Sequence, residues 1–166
     1  TAVGNRHLFP IVIGGKFGYM DDTGAIVIEP QFEDGGIFDE GFAMIIKNQR
    51  IGFINEEGSI VVRPVLDEAW PFHEGLASVH PDVDGKWGYI DETGATVIKL
   101  QFDQAMPFTE GLAVVQPEYT GPWGFIDKTG SFVIKPQFAQ AQRAFQEGLC
   151  AVQPQQDGAW GYVEKT

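Results

Sequence analysis

Short apolar stretches, interrupted by glycine or by polar residues, follow one another in threes along this chain. One group of three consists of Trp87 to Asp91, Ala95 to Lys99 and Leu112 to Gln116. The first stretch ends at the turn sequence Glu92-Thr93-Gly94, and the second is rich in β-branched residues. Such runs, bounded by glycine and proline, are typical of β-strands. Because no stretch has sustained helical periodicity, the pattern predicts an all-β chain.

The group of three strands recurs about every 36 residues. A glycine between two apolar residues of the first strand marks the period, with spacings of 34, 36, 36 and 37 residues. A fixed period of this size indicates a solenoid, a propeller or an array. We predict one repeat domain, 1–166, with repeats 16–49, 50–85, 86–121 and 122–158 and half-repeats 7–15 and 159–166. The marker glycines are Gly18, Gly52, Gly88, Gly124 and Gly161.

Both faces of the predicted sheets are apolar, since Trp87 and Tyr89 share one face and Ile90 lies on the other. A sheet of this kind is covered on both faces, as happens when small sheets stack. The half-repeats supply a third strand at the start and a first strand at the end. The chain then holds five hairpins of third and first strands. We predict an open β-hairpin array or solenoid, with a small closed β-propeller as the alternative.

Three local features are also predicted. The marker glycines are expected to allow close approach of the adjacent repeat. The prolines after the second strand are expected to end it, because proline donates no hydrogen bond to a sheet. A loop of about ten residues should follow, with a helical turn near Ala105 and Ala141. The prolines are Pro30, Pro64 and Pro136.

The repeat motifs carry a family resemblance. Lys86-Trp87-Gly88-Tyr89-Ile90-Asp91, the turn glycine, Val-Ile-x-Pro-Gln-Phe and Phe-x-Glu-Gly-Leu-Ala-x-Val occur in order. From about Leu8 to Glu164 the chain resembles the WG-repeat (KWG-repeat) family of bacterial proteins. The resemblance implies a tandem β-repeat module that is often attached to other domains. It implies no catalytic residues and no particular ligand.

Composition excludes several classes of function. The net charge of −12 disfavours nucleic-acid binding and adhesion to anionic membranes. With a single cysteine, Cys150, neither a disulfide framework nor a cysteine-based metal site is expected. No signal peptide or transmembrane run is found, and we expect no cofactor and no metal. The sequence begins with Thr, as a fragment or processed product would, so other domains of a longer chain are considered as partners and the compartment is left open.

One glutamate recurs in each repeat directly before a glycine. We expect each carboxylate to cap backbone N–H groups in its own tight turn. Catalysis would need two carboxylates in different environments, whereas equivalent repeat positions have similar ones. The Asp or Asn that closes the first strand is expected to form an Asx-turn. The recurring glutamates are Glu40, Glu74, Glu110 and Glu147.

Aromatic residues are the candidate binding groups. Trp87, Trp123 and Trp160 share one strand position, which Phe and Ile also fill, so packing is the simpler interpretation. Exposed rings at these positions could instead stack on sugars or on apolar groups of a partner. Trp70 and Tyr119 do not recur as aromatics, and the fold therefore does not require them.

The hypothesis from the sequence is a non-enzymatic module for protein or peptide binding, or for scaffolding. The alternative is carbohydrate or cell-envelope binding through the aromatic residues. The turns between third and first strands vary most between repeats, and variable loops on a repeated frame are the expected contact surface. They lie near residues 47–49, 82–85, 118–121 and 155–158.

Overall fold

Five small antiparallel sheets form the part of the chain that the computed structural model describes, residues 7–82 and 85–165. No helix occurs within these ranges, and none of the sheets closes into a barrel, so the predicted all-β class is confirmed. The variable turn predicted near 82–85 lies partly outside the described residues. The chain divides into two compact units, Thr1–Pro71 and Phe72–Thr166.

The first unit holds two complete sheets. The first sheet has the order β1-β2-β3 and the second has the order β4-β5-β6-β7. The strands are β1 (Phe9–Ile13), β2 (Lys16–Met20), β3 (Ile26–Phe32), β4 (Asp34–Gly35), β5 (Phe42–Lys47), β6 (Arg50–Asn55) and β7 (Ile60–Leu66), followed by the two-residue strand β8 (Glu68–Ala69).

The second unit repeats the same arrangement. Its strands pair in the orders β9-β10-β11, β12-β13-β14-β15 and β16-β17-β18. They are β9 (Leu76–His80), β10 (Trp87–Asp91), β11 (Thr96–Phe102), β12 (Gln104–Ala105), β13 (Ala113–Gln116), β14 (Trp123–Ile126), β15 (Phe132–Phe138), β16 (Gln140–Ala141), β17 (Leu149–Gln153) and β18 (Gly161–Glu164).

Each sheet is built around the predicted hairpin of a third and a first strand. In the fourth sheet, β13 pairs with β14, and the second strand β15 adds to the far edge of β14. The loop prediction was wrong in one respect. Where a helical turn was expected, Gln104 and Ala105 form the short strand β12 against Gln116 and Val115. Extended pairing satisfies the backbone groups of this segment, which an isolated turn would leave to water.

The prolines lie within the second strands and do not end them, which corrects the prediction. Pro136 is the fifth residue of β15, and Phe138 after it still pairs with Trp123. From the pair Trp123–Phe138 to the pair Phe125–Ile134, the register moves two residues along β14 but four along β15. The second strand β15 therefore contains a bulge at this point. Proline is tolerated there because the bulge leaves its nitrogen outside the ladder.

The marker glycine lies opposite this bulge. A Cβ placed on Gly124 would lie 2.8 Å from both the carbonyl oxygen of Ile134 and the nitrogen of Pro136. On Gly88, a Cβ would lie 2.6 Å from the carbonyl oxygen of Ile98. The close approach is therefore made by the second strand of the same repeat, and the prediction that the adjacent repeat makes it was wrong.

Successive repeats contact one another at a different glycine, the one that ends the turn after the first strand. In the first unit, a Cβ on Gly58 would lie 3.1 Å from the side chain of Ile28. In the second unit, a Cβ on Gly130 would lie equally close to the side chain of Ile98. Both isoleucines are buried. The cores therefore continue from one repeat to the next within each unit.

Candidate functional site

In four first strands, β2, β6, β10 and β14, an aromatic residue is buried at the centre and belongs to the core. Tyr89 donates its hydroxyl to the carbonyl of Met106 at 2.7 Å, and its ring meets Phe108 edge-on at 4.9 Å. Burial raises the pKa of Tyr89 well above its usual range. Tyr19 repeats this contact with Gly36, and burial raises its pKa to about 12. These tyrosines are explained by the fold.

The recurring glutamates lie in two-residue turns between the loop and the third strand. Glu110 (φ +51°) and Gly111 (φ +83°) are both left-handed, and Thr109 and Leu112 exchange backbone hydrogen bonds across them. Positive φ at both central residues defines a type I′ turn, in which glycine is favoured. Glu40, Glu74 and Glu147 have the same backbone conformation.

The carboxylates of Glu74 and Glu110 cap the turn of the following repeat, and not their own turn as predicted. Glu74 accepts the backbone N–H of Gly111 at 2.9 Å, and Glu110 accepts that of Gly148 at 2.8 Å. Lys128 also contacts Glu74, with its Nζ 3.3 Å from Oε2. Glu74 and Glu110 therefore link successive repeats within the second unit.

The Asp or Asn that closes each of the first strands β2, β6, β10 and β14 forms the predicted Asx-turn. Asp91 Oδ1 accepts the backbone N–H of Thr93, the hydroxyl of Thr93 and the backbone N–H of Ala95. These donors hold the pKa of Asp91 below its usual range. Asn55 makes the corresponding bond to the N–H of Ser59. The aspartates therefore organise turns.

A basic residue before the first strand pairs with an acidic residue 17 positions later, a pattern that the sequence reasoning missed. Lys86 pairs with Asp103 at 2.5 Å, and Arg50 pairs with Asp67. Asp103 also accepts the backbone N–H of Tyr119, and its pKa is lowered chiefly by the bond from Lys86. The constant spacing was a usable signal.

A polar side chain at the end of each third strand in the second unit fastens the following turn. Gln116 and Gln153 donate to the carbonyls of Gly121 and Gly158, at 2.8 and 2.7 Å. In β9 this residue is His80, whose Nε2 lies 3.1 Å from the carbonyl oxygen of Gly85. That carbonyl can only accept, so Nε2 carries the proton. The signal in the sequence was that a proline follows each of these residues.

The candidate aromatic residues differ widely in exposure. Trp87 is only 5% exposed and stacks on His80 at 5.2 Å, so its ring is not available to a ligand. Trp70 and Trp123 are half-buried. Trp160 is 50% exposed and Tyr119 is 75% exposed. The three tryptophans of the shared strand position therefore do not form a row of exposed rings.

The last sheet exposes an aromatic pair that includes one residue the sequence reasoning missed. Tyr162 of β18 is 73% exposed, and Trp160, directly before the strand, is 50% exposed. Tyr162 borders a cavity of about 760 Å³ that Phe145, Glu147 and Leu149 also line. Tyr162 was overlooked because its position is a core position in other repeats.

Within residues 7–82 and 85–165, no group of three or more His, Cys, Asp or Glu side chains could hold a metal ion. Over the same ranges, no helix is long and apolar enough to cross a membrane.

Four of the sheets contain the same bulge and the same turns. Four matches to a known repeat accompany this arrangement. A family model described as a WG containing repeat matches residues 17–50, 51–79, 87–116 and 123–158. The chain belongs to the WG-repeat family. Each of the four matches begins one residue after the start of a predicted repeat. The description of the family names a repeat and no chemical reaction.

Other comparisons with the WG-repeat chain are distant. It is similar to the crystal structure of selenomethionine-substituted virginiamycin B lyase from Staphylococcus aureus, with 12% identity and a TM-score of 0.46. The match covers 90% of this chain and 63% of that one, so the chain spans less than two thirds of the lyase. A match at this TM-score supports no argument about function. No curated protein matches the chain.

Proposed function

We propose that this protein is a non-catalytic repeat module that binds another protein. The observation that carries the proposal is the exposure of three apolar side chains at the last sheet, Leu149 of β17, Tyr162 of β18 and Trp160 directly before β18. We call these three residues the terminal apolar patch. Their counterparts in the repeat before the last, Leu112, Trp123 and Phe125, are buried or half-buried.

Exposed apolar side chains that lie together, with a polar rim, are a feature of protein interaction surfaces. Tyrosine and tryptophan suit such surfaces because each combines a large apolar ring with one polar atom. The rim here includes Glu110, Gln142 and Glu147, which line the adjoining cavity. The net charge of −12 would favour a partner with basic groups around its own apolar contact.

Carbohydrate binding is the weaker alternative. It was based on a row of tryptophan rings, but Trp87 is buried and Trp123 is half-buried. Trp160 alone of that set is exposed, and Tyr119 belongs to a different hairpin. A single exposed ring gives less stacking area for a polysaccharide than a row would.

An affinity experiment with the immobilised full chain tests the proposal. Bacterial lysate and washed cell envelope would be offered in parallel, with increasing amounts of each. We expect saturable capture of a protein by the wild type and at least tenfold weaker capture by a Trp160→Ala, Tyr162→Ala double variant, a difference of about 1.4 kcal/mol. The matched control is Tyr119→Ala, which removes an equally exposed ring from a different surface.

Three results would contradict the proposal. They are equal capture by the wild type and the double variant, retention by envelope polysaccharide alone, and no capture from either material. The second of these would favour the carbohydrate alternative. Circular dichroism of the double variant should be unchanged, because both substituted side chains are exposed.

A further inference from the structure

We propose that the outer edge of β11 accepts an extended segment of a partner protein, with an acidic residue of that segment opposite Lys99. Addition of a strand to a free sheet edge is a common mode of peptide recognition. The site lies on a different sheet from the terminal apolar patch and takes a different ligand, so it goes beyond the proposed function.

The strand β11 lies at an edge of its sheet. It pairs with β10 on one side, and among the described residues no strand pairs with its other side. The second strands of the other repeats, β3, β7 and β15, also lie at sheet edges. An edge strand presents backbone N–H and C=O groups with which another chain can pair, unless a feature of the strand prevents it.

Such a protective feature is present in three of the second strands and is missing from β11. In β3, β7 and β15 the fifth residue is a proline, whereas in β11 it is Leu100. Proline on an edge strand discourages pairing with other chains because it has no N–H to donate. All the residues of β11 carry an N–H, so β11 is the second strand best able to accept another strand.

The bulge leaves Leu100 without a residue opposite it in β10. Trp87 pairs with Phe102 and Tyr89 pairs with Ile98, so no residue of β10 is in register with Leu100. The side chain of Leu100 is 44% exposed. An incoming strand can therefore approach a backbone donor at Leu100 that the three prolines do not offer.

Most side chains of β11 face water. Ile98 and Phe102 are buried in the core, and the other five residues of the strand are exposed. Two of the exposed side chains are aliphatic, Leu100 and Val97, which is 45% exposed. A strand added at this edge would cover part of both, and the burial of apolar surface makes association favourable.

Lys99 determines the chemistry of the segment. Its side chain is exposed and forms no ion pair with a described residue, whereas Lys86 is already paired with Asp103. Opposite charges on neighbouring strands attract each other, so an acidic residue opposite Lys99 is favoured over a basic one. Because the whole chain carries a net charge of −12, we expect the rest of the segment to be uncharged or basic.

A second copy of this chain is a less suitable occupant. If two β11 strands paired antiparallel about Lys99 or Leu100, the two Lys99 side chains would lie opposite or diagonal to each other, and like charges so placed are destabilising. The two chains would also bring together net charges of −12 each. A partner segment with an acidic residue at that position has neither cost.

A peptide-binding experiment tests the inference. The probe is a fluorescently labelled peptide, Thr-Thr-Val-Glu-Val-Val-Thr, which matches β11 in length and places its glutamate opposite Lys99 in an antiparallel arrangement. The control peptide has lysine in place of glutamate. By anisotropy with the full chain, we expect saturable binding of the glutamate peptide and about fivefold weaker binding of the control. In an amide NMR spectrum, the glutamate peptide should shift the signals of Thr96–Phe102.

Leu100→Pro is the decisive variant. It gives β11 the proline that its three equivalents have at the same position, so the fold should be kept and the thermal midpoint should not fall. It removes a donor from the edge, and we expect about tenfold weaker binding of the glutamate peptide. The matched control is Leu100→Ala, which shortens the side chain but keeps the N–H, and which should bind more tightly than Leu100→Pro. Equal binding by the wild type and Leu100→Pro, or no binding by the wild type, would overturn the inference.

Two other variants keep the inference testable if the proline variant fails to fold. Lys99→Glu should reverse the preference, so that the lysine peptide binds more tightly than the glutamate peptide. Pro136→Leu should open a second edge of the same kind on β15, where Val133 and Lys135 are exposed, and a second peptide should then bind to each chain. An unchanged preference in the first variant would overturn the assigned partner class. The lack of a second site in the other would show that the missing proline is not what opens the edge.

Sedimentation of the unliganded chain tests the other occupant. A concentration-dependent dimer that Leu100→Pro dissociates would assign the edge to a second copy and would overturn the partner segment. Failure of the proposed function is recognised separately, because the Trp160→Ala, Tyr162→Ala variant leaves β11 unchanged and should bind the glutamate peptide as the wild type does.

Discussion

The carboxylate of Glu110 accepts the backbone N–H of Gly148 at 2.8 Å, joining one Glu-Gly turn to the next across 38 residues. Glu74 makes the same bond to Gly111. Glu74 and Glu110 thus each build one turn and also fix the turn that follows it. In repeat proteins, stability depends on such contacts between neighbouring repeats as well as on each repeat by itself.

Replacing Glu110 by alanine should weaken the junction between the last two repeats of the second unit. The substitution removes a charge-assisted acceptor from a half-buried N–H, for which we expect a loss of about 1 kcal/mol. The thermal midpoint should fall by about 3 °C. Differential scanning calorimetry at neutral pH would measure the change.

Glu147→Ala is the matched control for this substitution. Glu147 has the same φ of +51° and the same position before a glycine, but it makes no equivalent bond among the described residues. Both variants keep a Cβ at a left-handed position, so the backbone cost is the same. Equal midpoints for the two variants would show that the Glu110–Gly148 bond contributes nothing measurable.

Gly124→Ala should destabilise the protein more strongly. The new methyl group would lie 2.8 Å from two backbone atoms of β15, which cannot move without breaking the sheet. Overpacking of this kind costs about 2 kcal/mol. We expect the midpoint of urea unfolding to fall, with the slope of the transition unchanged.

Gly161→Ala is the control for that measurement, because it makes the same chemical change at the equivalent position with nothing within 4 Å. It should be neutral, or stabilising by up to about 1 kcal/mol through the reduced freedom of the unfolded chain. If both alanine variants lost stability equally, the contact with the second strand could not be the cause.

The hairpin of third and first strands could be predicted because its signals are local. Strand residues alternate, the Glu-Gly turn demands positive φ, and Asp91 lies where an Asx-turn is needed. The bulge opposite Gly88 was not predicted, since it depends on the register between two strands and leaves only a proline in the sequence. Proline fits both a strand end and a bulge, and the structure decides between them.

The exposed surface was harder to predict than the fold. Trp87, Trp123 and Trp160 occupy one position in the repeat, but their exposure ranges from 5% to 50% because different neighbours cover them. A single sequence records the position of a residue within its repeat and not what covers it. Tyr162 was missed for the same reason.

Asp91 should contribute a stability that depends on pH. Its hydrogen bonds lower its folded pKa below the ordinary value of 3.8, which applies in the unfolded chain. The stabilisation is therefore present above about pH 4 and is lost as the pH falls through the folded pKa. We expect the urea midpoint of Asp91→Ala to lie below that of the wild type near neutral pH, and the gap to narrow near pH 3.

Asp91→Asn separates the charge from the turn geometry. Asparagine keeps the acceptor oxygen, as Asn55 does in its bond to Ser59, but it does not titrate. Its midpoint near neutral pH should lie between those of the wild type and Asp91→Ala. If the difference in urea midpoint between the wild type and Asp91→Ala stayed constant down to about pH 3, the role assigned to the carboxylate would be contradicted.

Tyr89→Phe tests the buried hydroxyl at the centre of the third hairpin. Phe125 fills the same position one repeat later, so a phenylalanine ring fits there. The substitution should lower the stability because the Met106 carbonyl loses the Tyr89 hydroxyl, its hydrogen-bond donor at 2.7 Å. We expect a loss of about 1 kcal/mol, and no loss for Tyr162→Phe, whose hydroxyl is exposed.

Burial also raises the folded pKa of Tyr89 above the ordinary value of 10.0. The contribution of this hydroxyl is therefore complete below about pH 10 and is lost as the pH rises further. In an alkaline titration followed by phenolate absorbance, the rise in absorbance that comes from Tyr89 should appear only as the protein unfolds. The Tyr89→Phe variant should lack this rise. If the Tyr89 hydroxyl ionised while the far-ultraviolet circular dichroism remained native, Tyr89 would not be buried as described.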